Sequence, residues 1–262
     1  MSVQKIRDIL QKVRQAKVAV YGDFCLDAYW IMDPRGSEVS VETGLQAQAV
    51  KRHYYSPGGA SNIVANLTAL EPSEVRAIGV VGDDLFGREL IRQLRALRVD
   101  ISGLFVQEKG FDTVTFAKRY RDEQEAPRID FGFFNERTRD ADVFILEQIR
   151  QALKETDVLI FNQQVPGSIR DPFFIDEANR IFREFEDRII LLDSRHYTGK
   201  FHGIYRKSNE IEIAGLNGVE VHPGDHIPLD RVSEYGREVH KKEGKPVFIT
   251  CGERGLIVVD AT

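Results

Sequence analysis

Lys17-Val18-Ala19-Val20-Tyr21-Gly22-Asp23 is a short apolar run that ends in a glycine and a carboxylate. An apolar run without alternation reads as a strand buried on both faces, as in a parallel sheet. Such a strand delivers its last polar residue to the carboxyl edge, where ligands bind. Before it, residues 1–15 read as an amphipathic, charged helix; with no apolar core segment, this is not a signal sequence. Beyond it, residues 60–70 read as a helix and 75–80 as a strand. Residues 85–97 form a second helix pattern, with Leu90, Ile91, Leu94 and Leu97 at core spacing. Further buried strands are expected at 157–161, 188–192, 246–250 and 256–259, with helices near 141–153, 172–185 and 230–242. The repeated alternation predicts an α/β fold, a doubly wound and mostly parallel sheet.

Two stretches break that rhythm. Residues 35–55 and 103–134 are rich in β-branched and aromatic side chains and alternate in places, as in Thr113-Val114-Thr115-Phe116-Ala117. They read as antiparallel strands of a separate small sheet, the kind of insertion that acts as a lid at a ligand edge. With no internal repeat, low-complexity segment or linker, residues 1–262 are read as one domain carrying two lid insertions.

The composition narrows the function classes. A length of 262 residues allows ample core, and 42% hydrophobic with 29% charged residues is ordinary for a globular protein. A net charge of −5 with no long basic run argues against nucleic acid as a partner, while leaving room for a local pocket for one small phosphate. No apolar run is long enough to span a bilayer, so no membrane partner is expected. Cys25 and Cys251 are far apart in strand-like contexts and read as two buried, reduced thiols, which fits a cytoplasmic location.

Four motifs carry polar groups suited to a ligand, and each has a purely structural alternative. Asp23 and Asp27 straddle the end of the first strand; carboxylates suit paired sugar hydroxyls, but also cap helices and turns. Pro57-Gly58-Gly59-Ala60-Ser61-Asn62 leads into a helix. Gly58 and Gly59 would let the backbone approach a ligand, and Asn62 can donate and accept, or the segment is an ordinary capped turn. Asn209 and Glu212 are three apart and could hold waters of a hydrated Mg²⁺, or form a capping box. Thr250, Gly252 and Gly255 lie in a strand-to-strand loop that fits a nucleotide phosphate, or a tight turn. Lys118, Arg128, Arg195 and Lys200 are the basic residues to weigh for phosphate recognition, against the alternative of solvated surface charges; Arg195, at a strand's ligand edge, stands first.

The order and spacing of these motifs resemble the ribokinase/PfkB carbohydrate kinases along residues 18–259. Gly-Asp-x-x-Leu-Asp-x-Tyr-Trp, here Gly22 to Trp30, looks like the branch that phosphorylates heptose 7-phosphate in ADP-heptose synthesis. Arg128-Ile129-Asp130-Phe131 and Leu192 to Arg195 sit where that branch has similar sequences. The resemblance implies a ribokinase-like fold, ATP and Mg²⁺ as cofactors, and a homodimer formed through the β lid. It assigns Asp23, Asp27, Gly58, Gly59 and Asn62 to the sugar. Asn209 and Glu212 would organise Mg²⁺ and phosphates, with Glu212 the metal-associated carboxylate, and Thr250, Gly252 and Gly255 would border the nucleotide.

The chain also departs from that family. Arg195 stands where the heptose branch commonly has lysine, and Asn162-Gln163-Gln164 replaces its usual Ser-Asp-Tyr. The Gly-Ala-Gly-Asp turn that bears the family's general base is not among residues 1–262. Phosphoryl transfer rests on positioning and charge stabilisation, so a chain without that turn is expected to be an incomplete kinase, with no catalytic residue assigned. The alternative is a sugar-phosphate-binding or partner-dependent scaffold protein that keeps Asp23 to Asn62 and lacks the chemistry. A dinucleotide enzyme is disfavoured, since Gly22-Asp23-Phe24-Cys25 is not a Gly-x-Gly-x-x-Gly turn. A P-loop is excluded by the absence of its sequence.

Overall fold

In the computed structural model, which describes residues 2–222 and 225–261, the opening run is strand β1 (Lys17–Gly22), buried from Val18 onward. It pairs in parallel with β4 (Glu74–Gly82) on one side and β9 (Val158–Gln163) on the other. The main sheet has eight strands. Outward from β4 lies β5 (Asp100–Gln107), and outward from β9 lie β10 (Ile189–Ser194), β11 (Tyr205–Asn209), β12 (Val247–Thr250) and β13 (Leu256–Val259). Every pairing is parallel except β12 with β13. This is the doubly wound sheet that the alternation predicts.

Alternate residues of β1 serve two cores. Val18 and Val20 meet α2 (Ala60–Thr68) and α3 (Leu85–Ala96), whose Val64, Leu90 and Leu94 are buried there. Ala19 and Tyr21 meet α4 (Arg139–Glu155) and α5 (Pro172–Glu184). An aromatic cluster fills that second core, with Phe161 4.3 Å from Tyr21 and 4.7 Å from Phe201 between ring centroids. Farther along the same face, α6 (Glu210–Leu216) and α7 (Leu229–Glu243) bury Val247 and Ile249. The other face of β10–β13 is not covered in this way: Ile189, Leu256 and Val258 are 44%, 56% and 53% exposed. Helix α1 (Val3–Val13) buries no residue.

Two glycines explain how the site end of β1 is shaped. A Cβ on Gly22 would sit 2.4 Å from the Asn162 carbonyl oxygen, so only glycine allows β1 and β9 to approach here. Gly59 has φ +53°, which turns the chain from β3 (Val50–Gly59) into α2.

The second sheet is built from β2 (Phe24–Met32), β3, β6 (Thr115–Arg121), β7 (Gln124–Glu125) and β8 (Ile129–Phe131). Its pairings are antiparallel except β2 with β6. Its extent differs from the sequence expectation in three ways. Residues 100–107 belong to the main sheet as β5. Within 35–55, only the part from Val50 is a lid strand. The central lid strand β2 lies outside both expected insertions. Alternation along β2 explains its role: Phe24 and Leu26 enter the α2/α3 core, which leaves Cys25, Asp27 and Tyr29 on the other face.

Candidate functional site

The carboxyl ends of the parallel strands bring the polar residues into one row. Gly22 is in register with Asn162, Asn162 with Asp193, Asp193 with Lys207, and Asn209 with Thr250. Asp23 follows at the end of β1. Its Oδ2 accepts hydrogen bonds from the Gln164 and Val165 amides, 2.7 Å each, and from Ser168 Oγ at 3.2 Å. Burial pushes its pKa up, while those three donors and the Arg137 charge pull it down; burial prevails. One oxygen of Asp23 is therefore committed to the loop after β9, a structural duty that a sugar-binding assignment alone does not anticipate.

Beside Asp23 opens a cavity of about 260 Å³ whose walls include Phe133, Asn135, Arg137, Asp142, Ser168 and Arg170. Arg137 is paired with Asp142, donates to Tyr21 Oη at 2.9 Å and lies 4.4 Å from the Phe174 ring centroid. Burial lifts the Tyr21 pKa to about 12, against the opposing charge of Arg137. It also raises Asp142, again opposed by Arg137.

Asp27 lies farther out, on the open face of the lid. It is in register with Ser56 and Phe116, and a Cβ on Gly58 would stand 3.3 Å from its carboxylate carbon. Lys118 Nζ is 3.3 Å from Asp27 Oδ2 and 3.2 Å from Tyr29 Oη. Burial lowers the Lys118 pKa, but the Tyr29 hydrogen bond and the Asp27 charge raise it further, so the ammonium is held charged. Arg128 pairs with Asp130 and lies 4.3 Å over the Phe116 ring, and its pKa is raised chiefly by the Asp130 hydrogen bond and secondarily by the charges of Asp130 and Asp27. Thus Asp27, Gly58, Lys118 and Arg128 share one lid face. Between this face and the cavity lies a small apolar wall of Cys25, Val114, Val165, Phe116 and Phe133. Burial, with Asp23 and Asp27 nearby, pushes the Cys25 thiol pKa well up, so it is a neutral buried group.

The other predicted residues are distributed unevenly. Asn62 is exposed on the first turn of α2 with no side-chain hydrogen bond among the described residues. Arg195 and Lys200 are exposed and likewise lack side-chain partners there, although the Arg195 amide ties to Gln163 O at 2.9 Å. Asn209 and Glu212 form the capping box of α6: Asn209 Oδ1 accepts from the Glu212 amide at 2.8 Å, and Glu212 Oε2 from the Asn209 amide at 2.9 Å. The structural alternative is realised, and one Glu212 oxygen remains for a ligand. Among the described residues no group of three or more His, Cys, Asp or Glu is arranged as a direct metal site. Such an edge fits a hydrated Mg²⁺ held through its waters better than a dehydrated ion. Thr250 Oγ1 lies 3.4 Å from Ser208 O, and Gly252 and Gly255 take positive φ in the turn between β12 and β13.

Three polar members of the edge row, Asn162, Asp193 and Lys207, are not among the predicted site residues. Asn162 is 2% exposed, and its Oδ1 has no hydrogen-bond partner among the described residues. Lys207 Nζ stands 3.2 Å from Asp193 Oδ1. Lys207 could have been found only by recognising Tyr205-Arg206-Lys207-Ser208-Asn209 as a strand, which its polarity conceals.

Comparison with known proteins bears on this arrangement. Residues 15–262 match the profile described as pfkB family carbohydrate kinase. Over 256 residues the chain is 28% identical to the bifunctional protein HldE of Wolinella succinogenes, covering 96% of the chain and 52% of that protein. To the bifunctional protein HldE of Shewanella denitrificans it is 30% identical over 257 residues, covering 96% and 50%. The chain thus spans about half the length of these curated relatives. Among solved structures, the tetrameric inhibited form of phosphofructokinase-2 from Escherichia coli superposes with a TM-score of 0.68 at 16% identity, covering 94% of this chain and 77% of that one. The same enzyme in complex with fructose-6-phosphate gives 0.63 at 16% identity, covering 94% and 78%. At these identities the structural likeness shows the shared fold.

Proposed function

The chain belongs to the pfkB family of carbohydrate kinases, and from that premise we propose that it serves the ATP-dependent phosphorylation of a sugar phosphate of the heptose 7-phosphate kind. One observation carries the choice of a phosphorylated sugar: Asp27 and Lys118 stand 3.3 Å apart on the lid face that also holds Arg128. A carboxylate there accepts from sugar hydroxyls, and the two cations complement a phosphate on the same molecule. Gly58 leaves room for a hydroxyl-bearing carbon beside Asp27, and the exposed Asn62 offers a further polar contact. Phe116 and Phe133, whose centroids are 6.1 Å apart, limit water on that side.

Mg²⁺-bound ATP supplies the phosphoryl group when bound; Glu212, Asn209, Thr250, Gly252 and Gly255 are the residues of this chain that would border it. Residues 1–262 would orient the acceptor, hold its charge and shield it. A cytoplasmic homodimer assembled through the lid completes the proposal; the open lid face, with Tyr29 and Tyr54 stacked at 4.6 Å, is the surface available for it.

Calorimetric titration tests the substrate class. A heptose 7-phosphate should bind at least tenfold more tightly than the same heptose without phosphate, and Lys118→Ala should erase most of that difference. Equal affinity for both sugars in the wild-type protein would refute the assignment.

A further inference from the structure

We infer that helix α1 is a membrane-surface anchor that lays its apolar stripe in the headgroup region of an anionic bilayer, independently of the kinase reading above. The helix contributes no core to the fold. Ser2 caps it, accepting from the Lys5 amide at 3.3 Å, yet none of its 11 residues is buried. Val3, Ile6, Ile9 and Leu10 are 66%, 40%, 44% and 43% exposed. Their spacing, continued by Val13, places them in one stripe along the helix, which a surface helix normally turns toward a core. The ties to the body are made where the helix ends. Arg14 pairs with Glu71, and the Ser73 hydroxyl lies 3.0 and 2.9 Å from the Gln15 and Ala16 carbonyl oxygens.

The charges beside the stripe select its occupant. With 3.6 residues per turn, Lys5 and Lys12 flank it next to Ile9, and Arg7 and Arg14 flank it next to Val3 and Leu10. Both margins of the stripe are therefore cationic. The far side holds Gln4, Gln11 and Asp8, the one carboxylate between Ser2 and Arg14, and Gln4 Nε2 donates to Asp8 Oδ1 at 2.8 Å. The whole chain, by contrast, carries a net charge of −5. Cations along both sides of an apolar stripe suit a helix lying in the plane of a bilayer. Their stems cover acyl chains while their heads reach lipid phosphates. A second copy of α1 is a poorer occupant, because pairing the stripes would set like charges against each other. The helix is about 16 Å long at 1.5 Å per residue, too short for a hydrocarbon core of about 30 Å. Lying on a bilayer needs no spanning segment, and no described helix is long and apolar enough to be one. Helix α1 leads into the amino end of β1, so docking there leaves the carboxyl edge, with Gly22 and Asn162, open.

Vesicle flotation, with neither sugar nor nucleotide present, tests the anchor. The vesicles are phosphatidylcholine alone, or phosphatidylcholine mixed equally with phosphatidylglycerol. The proteins are the wild type, Ile6→Glu/Ile9→Glu and Lys5→Gln/Lys12→Gln, with thermal unfolding and light scattering of each recorded in parallel. The wild type should bind the mixed vesicles at least roughly tenfold more tightly than phosphatidylcholine, and added salt should release it. Lys5→Gln/Lys12→Gln should weaken that binding roughly ten- to thirtyfold, and Ile6→Glu/Ile9→Glu should abolish it. Both variants should unfold within about 2 °C of the wild type, because α1 buries nothing. A wild type that stays with neither vesicle, or binds both equally, would overturn the inference. So would an Ile6→Glu/Ile9→Glu protein that still floats, since the contact would then lie elsewhere. Early unfolding of that variant would mean that the stripe packs on the body, and a halved mass in light scattering that it joins two copies. Either result also overturns the anchor.

Discussion

Replacing Asp23 by alanine should loosen the loop after β9 and destabilise the whole domain. The Asp23 Oδ2 accepts two amides at 2.7 Å from residues more than 140 positions away in sequence. Alanine would leave both N–H groups without an acceptor, at about 1–3 kcal/mol each, together with the smaller loss of the Ser168 contact. Relief of the buried charge offsets part of this, which leaves a net cost of about 2–4 kcal/mol. For a domain of this size that is a fall of roughly 5–15 °C in unfolding temperature. Asp23→Asn keeps an oxygen in place and should cost less than about 1.5 kcal/mol. The pH dependence follows from burial, which raises the folded-state pKa of Asp23 above its unfolded value. Its contribution to stability is then complete in acid and is lost as pH rises through the folded pKa; Asp23→Asn, unable to ionise, should flatten that slope. Urea denaturation across pH, with hydrogen exchange read at the Gln164 and Val165 amides, measures all of this. An alanine variant that unfolds within about 1 °C of the wild type, with those amides still protected, would refute the clamp.

Three further outcomes follow from single contacts. Tyr21, at about 12 in the folded protein against 10.0 for its ordinary value, should contribute about 3 kcal/mol that is complete below pH 10 and lost as pH rises through 12. Tyr21→Phe should remove that alkaline loss, at a cost of about 1–3 kcal/mol near neutrality because Arg137 loses its 2.9 Å acceptor; stability curves at pH 7 and 11 decide it. Gly22→Ala should lower the unfolding temperature by roughly 10 °C or block folding, since its Cβ would meet a backbone oxygen at 2.4 Å; a variant with wild-type melting would contradict that packing. Asn209→Ala should cost about 1 kcal/mol through loss of the α6 cap, measurable by urea denaturation without ligand.

The sequence reveals most where one physical signal dominates. The run from Val18 to Gly22 is apolar at every position that the fold buries, so strand, burial and carboxyl edge could be read together. The Asn-x-x-Glu spacing at 209–212 likewise specified a local device, the capping box, without needing the rest of the chain. Strand β2 was concealed by its own motif: the alternation of Phe24, Leu26 and Ala28 with Cys25, Asp27 and Tyr29 is regular, yet placing Asp23 and Asp27 at the end of the first strand leaves no second strand there. Strand β11 could not be recognised from its composition, because Arg206 is buried at 1% exposure through contacts to Thr198 and Phe201 that exist only after folding. The same reason hides the duty of Asp23, whose three donors come from a distant loop.

Burial also explains why the two ends of the edge should differ in rigidity. Strands β1 and β9 lie between two cores, with α2 and α3 on one side and α4 and α5 on the other. Their carboxyl ends, Asp23 and Asn162, are therefore positioned by a fixed floor. Strands β10 to β13 are covered by helices on one face, and on the other Ile189, Leu256 and Val258 stay 44–56% exposed. Half the apolar burial per strand means less free energy opposing local opening, and β13 has only one neighbour in the sheet. Backbone amides should accordingly exchange fastest in β13, more slowly in β11 and slowest in β1. Native-state hydrogen exchange resolves that order. Uniform protection from β1 to β13 would mean that something other than helix packing holds the outer strands. The expected gradient would mean that residues 1–262 hold the Asp23 end of the edge more firmly than the Thr250 end.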